Sequence, residues 1–291
     1  MSRPPFEVAD VFRGYGEAYR QAHGGSMPRS HLRVMRAIEI CRTAELGGHV
    51  DACTNCGAQE ISYNSCRNRH CPKCQSAAKA RWLEARQSEL LPVGYFHVVF
   101  TLPEEIAKIG LQNKRVIYDL LFKATSETLR KVAADPKHLG AEIGFLAVLH
   151  TWGQTLSFHP HLHCVVPGGG FDPTRQRWIA CRQRFFLPVR VLGRHFRQIF
   201  LHLLLTAYRQ GSLQFHGDLA ELQDPRGYTT YIRRARRHKW VVYAKKPFGG
   251  PRQVLDYLGR YTHRVAISNH RITKVADGKV TLIIRVSKDL A

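Results

Sequence analysis

The chain has 291 residues, with 44 Lys and Arg against 22 Asp and Glu, a formal net charge of +22. Hydrophobic residues make up 44% and aromatics 10%, enough for one or two packed domains and too much for a disordered chain. No apolar run approaches the ~18 residues of a membrane helix, and Met1-Ser-Arg-Pro-Pro opens no signal-peptide core, so a cytosolic protein without a membrane partner is expected. The charge points to a polyanionic partner, nucleic acid before a membrane surface, because no basic amphipathic helix with a large aromatic face stands out.

Residues 1–48 read as helical, with Val34, Met35, Ala37, Ile38 and Ile40 at helical spacing among Arg29, Arg33, Arg36 and Arg42, and with Gly47-Gly48 as the stop. Two C-x-x-C pairs follow, Cys53/Cys56 and Cys71/Cys74, separated by residues 57–70. In a chain without a secretion signal disulfides are not expected. Two such turns can supply the four thiolates of a structural zinc ion. His49, Cys66 and His70 share the segment and can replace a thiolate or serve a second ion. A helix is predicted from Ser76, and Pro92-Val-Gly94 breaks it. The division expected is a helical zinc-binding domain over 1–92 and a second domain over 93–291.

The second region opens on Tyr95-Phe-His-Val-Val-Phe-Thr-Leu102, rich in aromatic and β-branched residues and read as a strand. Residues 104–134 read as helical, although Gly110 weakens a single unbroken helix. Strands are predicted near 143–151 and 159–166, a hairpin arm near 177–180, an amphipathic helix over 189–209, a strand over 240–244 and a helix over about 252–261. That order predicts an α+β fold with a mainly antiparallel sheet flanked by helices.

Two constellations carry chemistry. In His159-Pro-His161-Leu-His163, residues two apart on a strand share a face, so His161 and His163, with His159 beside them, can offer imidazoles to a divalent metal. A third ligand must come from a neighbouring element; Gln154 is the first choice and His150 the next. The alternative is a polar sheet face or a structural zinc site. In Tyr257-Leu-Gly-Arg-Tyr261, helical i, i+4 spacing puts two phenols on one face. Without context, these are two packing aromatics.

Taken as an ordered set, these features resemble the rolling-circle insertion-sequence transposases of the HUH two-tyrosine group that carry an N-terminal zinc-binding domain. The stretches that carry the resemblance are Tyr63-Asn-Ser-Cys-Arg-Asn-Arg-His-Cys-Pro-Lys-Cys-Gln75, Val99-Phe-Thr-Leu-Pro103, Leu149-His-Thr-Trp-Gly-Gln-Thr-Leu156, His159 to Gly170 and Tyr257 to Tyr261, over about residues 30–270.

The resemblance implies an HUH-type nuclease fold, in which the histidine strand faces the tyrosine helix. It implies His161 and His163 as the metal pair and Tyr257 and Tyr261 as nucleophiles. It also implies Cys53, Cys56, Cys71 and Cys74 as ligands of a structural Zn²⁺, and Mg²⁺ or Mn²⁺ as the catalytic ion. The partner implied is DNA, preferentially single-stranded transposon ends, cut and rejoined through a 5′-phosphotyrosine, with a place at the bacterial nucleoid. Arg233, Arg234, Arg236, Arg237 and Lys239, interleaved with Tyr228, Tyr231 and Trp240, are expected to track phosphates and stack bases, with Lys245 and Lys246 as further phosphate anchors. Family members continue further beyond the second tyrosine than this chain does, which implies a C-terminally truncated copy. The rival reading is a non-catalytic, zinc-dependent DNA-binding repressor. Oligomeric state has no signature here.

Overall fold

The computed structural model describes residues 4–152, 157–182, 186–238, 240–245, 253, 259 and 265–283. Two compact units are present, one of residues 1–85 with 262–291, the other of residues 86–261.

In the first unit, helix α1 (Val8–His23) and helix α2 (Arg29–Glu39) pack through Ala9 and Ile38. The buried Glu39 carboxylate is matched by Arg20, whose Nη1 lies 2.7 Å from Oε1. At the start of α1, Glu7 N–H donates to Asp10 Oδ2 at 2.8 Å, satisfying one of the donors that every helix N-terminus leaves over. Residues 1–48, expected to be helical throughout, instead turn into strand β1 (Gly48–Ala52), which forms an antiparallel hairpin with β2 (Gln59–Tyr63). Helix α3 (Pro72–Arg86) follows, with Pro in the first turn, where its missing N–H costs nothing.

The second unit is built on a four-stranded antiparallel sheet. Strand β3 (Tyr95–Thr101) alternates: Phe96, Val98 and Phe100 enter the core, and the intervening residues face the other side. Helices α4 (Glu104–Gln112) and α5 (Lys114–Ala134) replace the single helix expected over 104–134. The break falls at Asn113, not at Gly110. The Asn113 side chain accepts from Gln214 N–H and donates to Gln214 O, each at 2.8 Å, so its amide stands in for the backbone of an extended neighbour. Strands β4 (Leu146–Trp152) and β5 (Phe158–Pro167) complete the sheet core, and β6 (Gly169–Phe171) with β7 (Trp178–Ala180) forms the expected hairpin arm. Glycine is required there: a Cβ on Gly169 would lie 2.5 Å from Ile179 O.

Helix α6 (Val189–Arg209) and helix α7 (Pro225–Arg237) pack on the core face. Asp224 caps α7, its Oδ2 accepting from Arg226 and Gly227 N–H at 2.9 Å. Strand β8 (Val242–Lys245) completes the sheet, whose order is β4-β5-β3-β8 with every pair antiparallel. The core lies between this sheet and α4 to α7. Phe100, Phe196, Phe200 and Trp240 pack edge-on or tilted at its centre, 5.1–6.0 Å between ring centroids, a favoured aromatic geometry. The α+β architecture is therefore as predicted. The helix expected over 252–261 lies outside the described residues, apart from residues 253 and 259.

The first unit is completed by a hairpin of β9 (Ile272–Ala276) and β10 (Lys279–Leu282). The buried side chain of Asn269, just before β9, accepts a hydrogen bond from Val8 N–H at 3.1 Å and caps α1 from the far end of the sequence. No helix among the described residues is long and apolar enough to cross a membrane.

Candidate metal centres

Strand alternation divides the sheet of the second unit into two chemistries. Leu162, Cys164 and Val166 on β5 join Phe96, Val98 and Phe100 in the core. The register then sets the opposite face. His150 pairs with His161, His163 lies opposite Val148 and Val99, Thr101 opposite His161, and His97 opposite both Val165 and Lys245. Residues directly opposite one another share a face, so three strands deliver imidazoles to one surface.

His150, His161 and His163 converge there. Their candidate ligand nitrogens all lie within 4.8 Å of one another. Ring centroids are 4.3 Å apart for His150 and His163, 4.9 Å for His161 and His163, and 5.3 Å for His150 and His161. His150 and His163 are buried, while His161 is half-exposed, so the cluster has a closed side and an open one. His161 Nδ1 lies 2.6 Å from the His159 carbonyl oxygen. That acceptor requires a proton on Nδ1, which leaves Nε2 as the unprotonated nitrogen, the one suited to an ion. His163 Nδ1 is engaged too, 2.8 Å from His97 Nε2. Burial, with Lys245 and His161 adding to it, pushes His97 down to about 3, so it is a neutral imidazole at physiological pH.

Three imidazole nitrogens around one point fit a divalent ion with coordination positions left for other ligands. His150, the second choice for the third ligand, is thus brought to the pair. Gln154, the first choice, lies outside the described residues, as do Tyr257 and Tyr261. His97 went unassigned in the sequence reading. Its only signal was a histidine alternating with core residues in an otherwise apolar strand.

The second centre lies in the first unit. Cys41, Cys66, Cys71 and Cys74 hold their sulfurs within 4.8 Å of one another. Cys41 Sγ and Cys66 Sγ are each 3.6 Å from Cys74 Sγ, close to the edge of about 3.8 Å of a tetrahedron with Zn–S bonds of about 2.3 Å. The expected set is corrected here. Cys71 and Cys74 belong to the cluster, but Cys53 and Cys56 do not; both are exposed in the turn joining β1 to β2. That turn is ordered by Cys53 N–H to Ala58 O and Gly57 N–H to Cys53 O, each 2.8 Å, with Gly57 at φ +73°. The places of Cys53 and Cys56 are taken by Cys66 and by Cys41, which the end of α2 delivers. His49 sits exposed on β1, its Nε2 3.4 Å from Asp51 Oδ2, and His70 is exposed before α3; neither joins the cluster.

The thiol chemistry suits metal capture. Burial pushes Cys66 up, and pushes Cys71 up to about 11. Burial also opposes ionisation of Cys74, but hydrogen bonds from the Cys66, Cys41 and Cys71 side chains outweigh it and hold that sulfur low. Zinc must displace the protons of Cys66 and Cys71 at neutral pH. Zinc binding is therefore expected to release at least two protons, so affinity rises with pH. Calorimetry at pH 7 in two buffers of different ionisation enthalpy measures that number, and a release below two would contradict it.

The expected nucleic-acid residues divide. Arg233, Arg234, Arg236 and Arg237 are exposed on α7, and Lys245 is exposed at the end of β8. Lys239 and Lys246 lie outside the described residues. The interleaved aromatics are not stacking platforms. Tyr228 stacks on Tyr208 at 3.7 Å, Tyr231 donates to Glu105 O at 3.0 Å, and Trp240 packs against Phe196 and Phe200. On a helix, positions 228, 231 and 235 form one face, and that face is the core side of α7.

Comparison with known proteins gives two family matches. Residues 144–289 match the family described as "Putative transposase" of the Y2 group, and residues 11–102 match the "Transposase zinc-binding domain" of the IS91 group. The chain is 62% identical over 280 residues to "Putative transposase y4qJ" of Sinorhizobium fredii (strain NBRC 101917 / NGR234), covering 96% of this chain and 70% of that protein. It is 28% identical over 265 residues to the "Transposase for insertion sequence element IS801" of Pseudomonas savastanoi pv. phaseolicola, covering 87% of this chain and 60% of that protein. Among solved structures, the conjugative relaxase TrwC in complex with mutant oriT DNA aligns with a TM-score of 0.31 at 16% identity, over 47% of this chain and 53% of that chain. The metal-bound TrwC complex with oriT DNA aligns with a TM-score of 0.32 at 12% identity, over 58% and 70%.

Proposed function

This chain belongs to the insertion-sequence transposases with an IS91-type zinc-binding domain, and from that premise we propose that its sheet-face histidines are the centre at which it nicks and rejoins single-stranded DNA at transposon ends through a 5′-phosphotyrosine. The observation that carries this reading is the convergence of His150, His161 and His163 on the face of an antiparallel sheet opposite its apolar core, the arrangement the HUH resemblance implies. Three imidazoles suit a transition-metal ion such as Mn²⁺ better than Mg²⁺; either ion, when bound, would supply Lewis-acid polarisation of the scissile phosphate.

The chain's own residues do the rest. The oxygen of Tyr257 or Tyr261 attacks phosphorus in line and gives up its proton to solvent. A P–O bond to tyrosine forms as the bond to the 3′ oxygen breaks, and that oxygen leaves as a free 3′-OH after taking a proton. The phosphodiester energy stays in the phosphotyrosine, so rejoining needs no nucleotide hydrolysis. A phenol with a pKa near ~10 is a weak nucleophile, and cations close to the phosphate favour attack by offsetting its negative charge. Lys245, on the histidine face beside His97, is placed for that. The arginines of α7 would hold the backbone of the incoming strand.

The test mixes purified protein with 5′- and 3′-labelled single-stranded oligonucleotides spanning the element's ends, plus Mn²⁺ or Mg²⁺. A metal-dependent adduct that carries the 3′ label is expected, joined through the 5′ phosphate of the downstream fragment, while the 5′ label leaves on a fragment with a free 3′-OH. His161→Ala is expected to reduce its rate by about 10²-fold or more. DNA binding with no adduct would leave the zinc-dependent repressor reading. Cleavage without a protein–DNA bond would mean that water is the nucleophile.

A further inference from the structure

We infer that His97 is a positioning residue for the metal centre: it holds His163 in the tautomer and ring orientation that present Nε2 to the ion. The inference rests on the reading of His150, His161 and His163 as ligands.

His97 sits on β3 opposite Val165, one same-face position along β5 from His163, and its ring reaches diagonally across to that neighbour. The Nε2 to Nδ1 distance is 2.8 Å, the rings are parallel within 4° and their centroids are 5.0 Å apart. His97 is 3% exposed, so packing fixes the acceptor in place. Two adjacent ligands thus have their Nδ1 atoms engaged by different means: His161 by the His159 carbonyl and His163 by an imidazole. A bond from the far nitrogen of a ligating histidine fixes its tautomer and raises its basicity. With Nε2 of His163 turned to the ion, the proton of that ring sits on Nδ1 and is donated to His97 Nε2. Removing that acceptor leaves the His163 ring without the bond that fixes which nitrogen faces the ion. The main-chain carbonyl behind His161 cannot be lost by substitution, so of these two contacts the one to His97 is the one a side-chain change can remove.

The test compares two residues of matched length on the full zinc-loaded chain. His97→Gln keeps an acceptor near the position of Nε2; His97→Met keeps the bulk without it. Mn²⁺ affinity is read from the electron paramagnetic resonance signal of free ion. His97→Met is expected to bind about 10- to 100-fold more weakly than wild type, the usual cost of losing such a partner, with His97→Gln within about threefold of wild type. Equal losses in both variants, or no loss in His97→Met, would overturn the inference. Ring ¹⁵N shifts of metal-free wild type give an answer even if a variant fails to fold: a proton on Nδ1 of His163 supports the inference, and a proton on Nε2 overturns it. Failure of the underlying reading looks different. In that case wild type and His161→Ala bind Mn²⁺ equally, or neither binds it.

Discussion

The double substitution Tyr257→Phe, Tyr261→Phe is expected to abolish covalent attachment to single-stranded DNA, lowering the rate by about 10³-fold or more, the scale seen when a covalent nucleophile is removed. Each single substitution should still give an adduct, because one phenol remains. The singles should fail instead at a second cleavage attempted while the first phosphotyrosine persists. Denaturing gels with a labelled oligonucleotide carrying two cleavage sites separate these outcomes: one adduct from each single variant, two successive products from wild type, none from the double. Since Phe keeps the ring, DNA binding by electrophoretic shift should be unchanged. Adduct formation by the double variant would remove both tyrosines from the reaction. The prediction stands on the resemblance and on the metal centre, since the two tyrosines lie outside the described residues.

Replacing one cluster thiol, in Cys41→Ser or Cys74→Ser, is expected to release the zinc and unfold residues 1–85. The magnitudes decide this. A structural zinc ion in small domains contributes apparent binding free energies of about 10–16 kcal/mol at neutral pH, against a typical whole-domain stability of about 5–15 kcal/mol. The apolar core of this unit is small, centred on Ala9 and Ile38 beside the cysteines themselves, and offers little in compensation. Cys53→Ser with Cys56→Ser, in the exposed turn, should leave that zinc in place. Metal analysis of the purified variants and limited proteolysis of the N-terminal unit measure both. Loss of the zinc in the Cys53, Cys56 variant with retention in Cys41→Ser would restore the ligand set first expected from spacing.

That ligand set shows where the sequence was legible and where it was not. A C-x-x-C spacing states that two sulfurs can meet one ion, but not which other sulfurs close the tetrahedron. Cys41 has no such spacing; it is brought in only because α2 ends where α3 begins. The β5 histidines were readable because period-two alternation is a local property, and so were β3 and α6. The third imidazole needed the register of β4 against β5, which no local pattern specifies, so His150 came only second to Gln154. The break at Asn113 depends on Gln214, about a hundred residues away, whereas the Gly110 signal was local and lost to packing. Tyr228, Tyr231 and Trp240 were misread for another reason. Basic neighbours suggested a DNA surface, yet Tyr228 and Tyr231 turn to the core side of α7 while its arginines are exposed, and Trp240, beyond the helix, packs into the same core. Charge told the truth about one face and said nothing about the other.

The capping of α1 by Asn269 bears on the order in which the chain can fold. During synthesis the N-terminal segment emerges first, but its unit includes residues beyond 262, and the Val8 N–H finds its acceptor only at residue 269. Residues 86–261 have by then left the ribosome and can condense as a unit. The first unit to begin is the last to close, and the helices beside the cysteine cluster gain their final contacts only after residue 269 has been made. A released chain ending before residue 262 would carry a folded sheet unit tethered to an open N-terminal one.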